Sequence, residues 1–138
     1  MSALYTPEML ALSTELVNYP LTKDFACHAE ARSKVCGSRI ALGLDLTDAG
    51  AVSDLGMKVS ACAIGQSSAA ILASAAKGAS PGDIHATLDA IDRWLEGEGD
   101  IPAWPRFGAI ERALDHPGRH GALRLPWEAA VKALSSAE

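Results

Sequence analysis

Residues 39–60 read RIALGLDLTDAGAVSDLGMKVS, a segment in which apolar side chains recur at alternate positions along most of both halves, on either side of a central turn. The apolar positions of its first half are Ile40, Leu42, Leu44 and Leu46. The alternation resumes after Thr47-Asp48-Ala49-Gly50 and runs from Val52 to Val59. A period of two is typical of strands with one buried face, and the Asp-Ala-Gly segment favours a turn. The segment therefore predicts an antiparallel hairpin.

The chain on either side of this hairpin completes the predicted fold. Alternation from Phe25 to Arg32 predicts a third strand, and Thr6-Pro7 predicts the start of an opening helix that ends before Pro20. Helices are predicted after the hairpin at residues 62–77, from the capping box at 80–83, at 107–114 and from Pro126 onward. We expect an α+β fold, a three-stranded antiparallel meander with helices packed on one face of the sheet.

Composition limits the function classes that fit. The 138 residues are 49% hydrophobic, which suits one domain spanning residues 1–138. The net charge of −5 provides no basic stripe for nucleic acid, and no apolar run reaches the roughly 20 residues that span a bilayer. The three cysteines, Cys27, Cys36 and Cys62, form no disulfide framework. We expect a soluble cytoplasmic protein that binds neither nucleic acid nor membranes.

Two of these cysteines lie at opposite ends of the hairpin. Cys36 precedes the first strand and Cys62 follows the second, and an antiparallel hairpin returns its ends to one place. The two thiols are therefore predicted neighbours at one edge of the sheet. Cys62 also falls at a helix start, where unpaired N–H groups and the helix dipole favour a thiolate. Cys27, on the apolar face of a strand, is expected in the core.

Three short motifs resemble those of a known family. They are Cys36-Gly37-Ser38, the stretch 60–68 (SACAIGQSS), and Arg119 followed by Leu125-Pro126-Trp127. In this order they resemble the NifU/IscU/SufU iron–sulfur cluster scaffolds, whose fold is SufE/NifU-like. The resemblance implies a non-enzymatic protein that accepts sulfur from a cysteine desulfurase and passes a cluster to acceptor apoproteins. It also implies that Cys36 and Cys62 are cluster or metal ligands.

The sequence departs from the family pattern at two ligand positions. Ser38 stands where the family has an aspartate, and Ala122 stands where it has a third cysteine. Two thiolates are fewer than the four ligands that zinc or a [2Fe–2S] cluster normally takes. His120, in the predicted loop near the missing cysteine, is the leading candidate for a further ligand, and Ser38 is a weaker one. A homo-oligomer that shares a cluster between chains is an open alternative.

These observations leave three hypotheses. The first is a divergent scaffold or carrier that binds iron, an iron–sulfur cluster or zinc through Cys36, Cys62 and His120. The second is a metal-free interaction module that docks a cysteine desulfurase or an apoprotein. The third is a sulfur carrier in which Cys62 accepts persulfide sulfur with His120 as a nearby base.

Overall fold

The computed structural model describes residues 6–22, 24–34 and 37–135. The three strands are β1 (Cys27–Arg32), β2 (Arg39–Leu46) and β3 (Val52–Ser60). The α-helices are α1 (Pro7–Thr14), α2 (Ala63–Ala76), α3 (Pro81–Leu95) and α4 (His120–Ser135). Short 3-10 helices cover Glu15–Asn18, Phe107–Asp115 and Pro117–Arg119. The chain therefore places its strands before most of its helices, as the sequence predicts.

The sheet has the predicted antiparallel order β1-β2-β3. Leu42 of β2 pairs with Ala29 on one side and with Met57 on the other, so one face carries the apolar positions of all three strands. The turn between β2 and β3 is closed by a hydrogen bond from Gly50 N to Thr47 O of 2.8 Å, with Gly50 at φ 89°. Glycine suits that left-handed conformation, which L side chains disfavour.

The helices cover the apolar face of the sheet. Helix α4 packs on β1 and β2, and α2 packs on β3. On the outside, α1 packs against α2, and α3 packs against α4. The predicted helix starts are confirmed at two caps. Thr6 Oγ1 accepts a hydrogen bond from Met9 N, and Ser80 forms a capping box with Asp83. The α+β architecture with helices on one face is confirmed.

The first strand begins two residues later than predicted. Phe25 leaves the strand and lies over Gly43 and Gly56, which face each other on β2 and β3. A Cβ on Gly56 would lie 2.8 Å from Phe25 Cε2, so neither glycine has room for a side chain under the ring. Phe25 therefore packs on the face of the sheet opposite to Cys27, and the predicted alternation holds only from Cys27 onward.

The final helix begins six residues earlier than predicted. Helix α4 starts at His120, and Pro126 lies inside it rather than at its first turn. Because proline has no N–H, Ala122 O receives no i+4 hydrogen bond. Burial of Leu123, Leu125 and Trp127 against the core offsets that loss. His120 is consequently a helix residue, and its predicted position in a loop is wrong.

None of the helices within the described ranges has the length and apolar content that a membrane crossing needs.

Candidate functional site

The register of the hairpin brings the predicted ligand segments to one end of the sheet. Arg39, the first residue of β2, pairs with Ser60, the last residue of β3. Ser38, which precedes Arg39, and Ala61-Cys62, which follows Ser60, therefore lie close to each other. The loop between β1 and β2 is held by hydrogen bonds from Ser33 N to Ser38 O (2.8 Å) and from Gly37 N to Ser33 O (3.1 Å). Cys36 itself lies outside the described residues.

Cys62 is positioned as the N-cap residue of α2. Its backbone is extended (φ −67°, ψ 172°), and its carbonyl accepts a hydrogen bond of 3.0 Å from Gln66 N. Gln66 Nε2 donates a hydrogen bond of 3.0 Å to Ala61 O, and this bond fixes the residue before Cys62. The thiol is half-buried and makes no capping hydrogen bond to the start of α2. Cys62 lies at the positive end of the helix dipole, and its sulfur is not used by the cap.

Ala122 occupies a buried position beside the first turn of α2. It is 1% exposed, and a Cβ built on Gly65 would lie 3.4 Å from Ala122 Cβ. Gly65 is three residues from Cys62 on α2, so Ala122 packs one helical turn away from the half-buried thiol. The position that the family resemblance assigns to a third cysteine is thus adjacent to Cys62, but it carries a methyl group.

The first turn of α4 also touches the loop between β1 and β2. A Cβ built on Gly121 would lie 2.9 Å from Ser33 Oγ, so the two residues are in close contact. The start of α4 therefore joins the start of α2 and the Ser33–Ser38 loop in one cluster. Sequence reasoning missed Gly65, Gly121 and Ser33; the signal available for Gly65 was a glycine inside a helix of alanines, which indicates close packing.

His120 is half-buried and is held by two backbone carbonyls. Its Nε2 lies 3.1 Å from Ala113 O and 3.0 Å from Leu114 O. Both partners are acceptors, so the proton belongs on Nε2, and Nδ1 of the neutral ring keeps its lone pair. A metal-ligating histidine commonly donates its other N–H to a carbonyl in this way, although an ordinary structural histidine does so too. The free ring nitrogen, Nδ1, is the atom with ligand capacity.

The structure also gives the positions of Ser38 and Cys27. Ser38 is buried, with 4% of its surface exposed, whereas Cys27 lies in the core opposite Leu44 and is 3% exposed, as expected. Within the part of the chain that the structure describes, no three His, Cys, Asp or Glu side chains come together as a metal site. Because Cys36 is outside that part, the set Cys36, Cys62 and His120 stays a prediction.

Comparisons with known proteins identify structures with the same fold. No family model and no curated protein matches the sequence. The structure is similar to the crystal structure of a nitrogen-fixing NifU-like protein (N-terminal) from Brucella abortus, with a TM-score of 0.88 and 28% identity over 97% of this chain and 94% of that one.

A second solved structure shares the fold. It is assigned as an iron–sulfur cluster assembly scaffold of the SUF system from Fervidobacterium islandicum AW-1, and the TM-score is 0.84 at 19% identity. The match covers 95% of this chain and 96% of that one. Over nearly its full length, this protein is structurally similar to the NifU-like and SufU iron–sulfur cluster scaffold proteins.

Proposed function

We propose that this protein is a divergent scaffold or carrier of iron–sulfur cluster assembly, a single domain that binds iron, a cluster or zinc through Cys36 and Cys62. The observation that carries the proposal is the position of Cys62. Cys62 is the N-cap residue of α2, but its thiol makes no capping hydrogen bond. It lies close to Ser38, which follows Cys36 in the sequence, because the strands that they flank are paired. The near full-length similarity to a NifU-like protein supports the same function.

The third ligand in this proposal is His120, acting through Nδ1. The hydrogen bonds from Nε2 to the carbonyls of Ala113 and Leu114 hold the ring in the tautomer that leaves Nδ1 available to a metal. Imidazole replaces thiolate at both zinc and iron sites. The iron or cluster is cargo, so a site with fewer thiolates than a closed structural site suits a protein that passes it on.

The partners that follow are a cysteine desulfurase as the sulfur source and acceptor apoproteins as the destination, in the cytoplasm. The role is non-enzymatic, since the protein would hold the cargo and the partners would perform the chemistry. Ala122 provides no thiol to receive persulfide sulfur, so sulfur delivery would have to use Cys36 or Cys62.

A cobalt titration tests the ligand set. Co²⁺ bound to thiolates gives a near-ultraviolet charge-transfer band, and its intensity reports the number of sulfur ligands. We expect the band in the wild-type protein, weaker bands in Cys36→Ser and Cys62→Ser, and a changed visible spectrum in His120→Ala. Cys27→Ala is the matched control, because it removes a core thiol and should leave the spectrum unchanged. A wild-type spectrum without a thiolate band would contradict the proposal.

A metal-free docking module is the second candidate function. One observation favours it, the buried methyl group of Ala122 at the expected cysteine position. This candidate predicts that a complex with a cysteine desulfurase survives replacement of both Cys36 and Cys62 by serine. Loss of the complex together with the metal would instead support the scaffold.

A further inference from the structure

The outer face of the sheet carries a basic cluster at the same end as Cys62. The residues of this face point away from the helices, and its last row is Arg32, Arg39 and Ser60, paired in register across β1, β2 and β3. Lys58 follows on the same face of β3, diagonal to Arg39. We call Arg32, Arg39 and Lys58 the basic cluster; all three are exposed.

The ion pairs that the described part of the chain forms do not account for the basic cluster. Among the ion pairs of the described residues, none includes Arg32, Arg39 or Lys58. Arg32 and Arg39 are direct cross-strand partners, an arrangement that destabilises a sheet when the charges are alike. The cluster also opposes the net charge of −5. A stability cost with no ion-pair partner among the described residues favours compensating charges from outside the chain.

The cluster borders a cleft with apolar walls. The cleft has a volume of about 980 Å³, and four basic residues line it, the basic cluster and Lys132, against two acidic ones, Glu30 and Glu128. Glu128 is already paired with Arg124 at 2.8 Å. The apolar part of the lining comes from the helix-facing side of the strands and from α3 and α4: Ala31, Ile40, Val59, Leu88 and Val131. The side chains of the basic cluster lie on the other face of the sheet.

We propose that the basic cluster binds an acidic segment of a partner protein, with the carboxylates of that segment on Arg32, Arg39 and Lys58. Charge complementarity selects the occupant, because unpaired cations on one patch attract a locally acidic surface. A long polyanion would extend beyond the basic cluster, and the net negative charge of the rest of the chain would repel it. Since Arg39 follows Ser38 and Ser60 precedes Ala61-Cys62, the docked segment would lie next to the candidate metal site.

The inference does not rest on metal binding, and its test leaves the cysteines intact. The probe is a short fluorescent peptide that alternates glutamate with leucine, measured by anisotropy. We expect binding that weakens as salt is added and falls by about tenfold in Arg32→Gln/Arg39→Gln, since rim charges are screened and steer association. Lys77→Gln/Arg93→Gln, which removes two exposed cations elsewhere, is the matched control and should bind as the wild type does.

Charge reversal keeps the test independent of folding defects. Arg32→Glu/Arg39→Glu should lose the glutamate peptide and bind a peptide that alternates lysine with leucine, while its circular dichroism spectrum stays that of the wild type. Equal losses in the control variant, or equal binding of a glutamine–leucine peptide, would overturn the proposal. Preferential binding of polyphosphate or of a DNA oligonucleotide at the same residues would also overturn it, because the site would then be one for polyanions.

Discussion

Gly65 of α2 and Ala122 of α4 are in contact at the point where the two helices begin. A Cβ on Gly65 would lie 3.3 Å from Ala122 O and 3.4 Å from Ala122 Cβ, and 2.8 Å from Ala61 Cβ. Ala122 O is also the carbonyl that Pro126 leaves without its i+4 donor. The contact therefore fixes the start of α4 against the turn of α2 that carries Cys62.

Gly65→Ala should destabilise the protein. The added methyl group would meet the neighbouring backbone and Ala61, and overpacking of this kind costs about 1–3 kcal/mol. Urea denaturation measures the change in the free energy of unfolding. Gly82→Ala is the control, because its only close neighbour is Ser80 Oγ at 3.6 Å and alanine favours a helix. Equal destabilisation of the two variants would contradict the close contact.

Ala122→Cys should strengthen metal binding. The substitution places a thiol beside Gly65, one helical turn from Cys62. We expect the affinity for Zn²⁺ to rise by about tenfold or more, which is the size of effect that single groups have at metal sites. Competition with a chromophoric chelator measures the affinity. Ala129→Cys, at another buried alanine of the same helix, is the matched control. An equal gain in both variants would show that the added thiol acts without regard to position.

Much of the fold could be predicted because its signals are local. The alternation of residues 39–60 and the capping box of Ser80 are complete within a few residues, and the structure confirms both. The start of α4 could not be predicted in this way. Proline usually marks the first turn of a helix, whereas Pro126 lies inside one that is stabilised by tertiary packing of Trp127 and its neighbours.

The candidate site was predicted to a lesser extent. The pairing of Arg39 with Ser60 confirms that the ends of the hairpin meet, since strand register follows from alternation and turn position. The roles of Gly65 and Gly121 could not be predicted, because each depends on a contact with a segment distant in sequence. The carbonyl partners of His120 are close to it in sequence. They reach its ring because Ala113 and Leu114 belong to a 3-10 helix that ends before α4.

Ser68→Ala should be costly because it breaks a buried polar network. Ser68 Oγ donates to Leu123 O at 2.5 Å and accepts a hydrogen bond of 3.0 Å from Trp127 Nε1, and Ser68 is fully buried. The substitution leaves the indole N–H without its acceptor, which costs about 1–3 kcal/mol. Ser74→Ala removes only a local bond to Ile71 O and should cost less than Ser68→Ala. Similar unfolding free energies for the two variants would refute the network's role.

The ion pair between Arg106 and Glu15 predicts a pH dependence of stability. Its distances are 2.6 and 2.9 Å, and the hydrogen bonds from Arg106 lower the pKa of Glu15 below its ordinary 4.5. A carboxyl with a lowered folded-state pKa stabilises the protein above its unfolded pKa and loses that effect as the pH falls through the folded value.

Glu15→Gln should therefore be less stable than the wild type at neutral pH and equally stable in acid. The difference should stay below about 1 kcal/mol, because the pair is partly exposed and screened by solvent. Unfolding free energies across the acidic range measure it, with Glu96→Gln as a control at an exposed carboxylate. A difference that persists below the pKa of Glu15 would point to packing instead of charge.

Metal and sulfide content after anaerobic reconstitution tests the central claim most directly. The proteins compared are the wild type, Cys36→Ser, Cys62→Ser and Cys27→Ala, each loaded with iron and sulfide and then desalted. The account predicts tightly held iron, with or without sulfide, in the wild type and Cys27→Ala, and its loss in Cys36→Ser and Cys62→Ser. A wild-type protein that holds no metal, or serine variants that keep it, would contradict a metal site at Cys36 and Cys62.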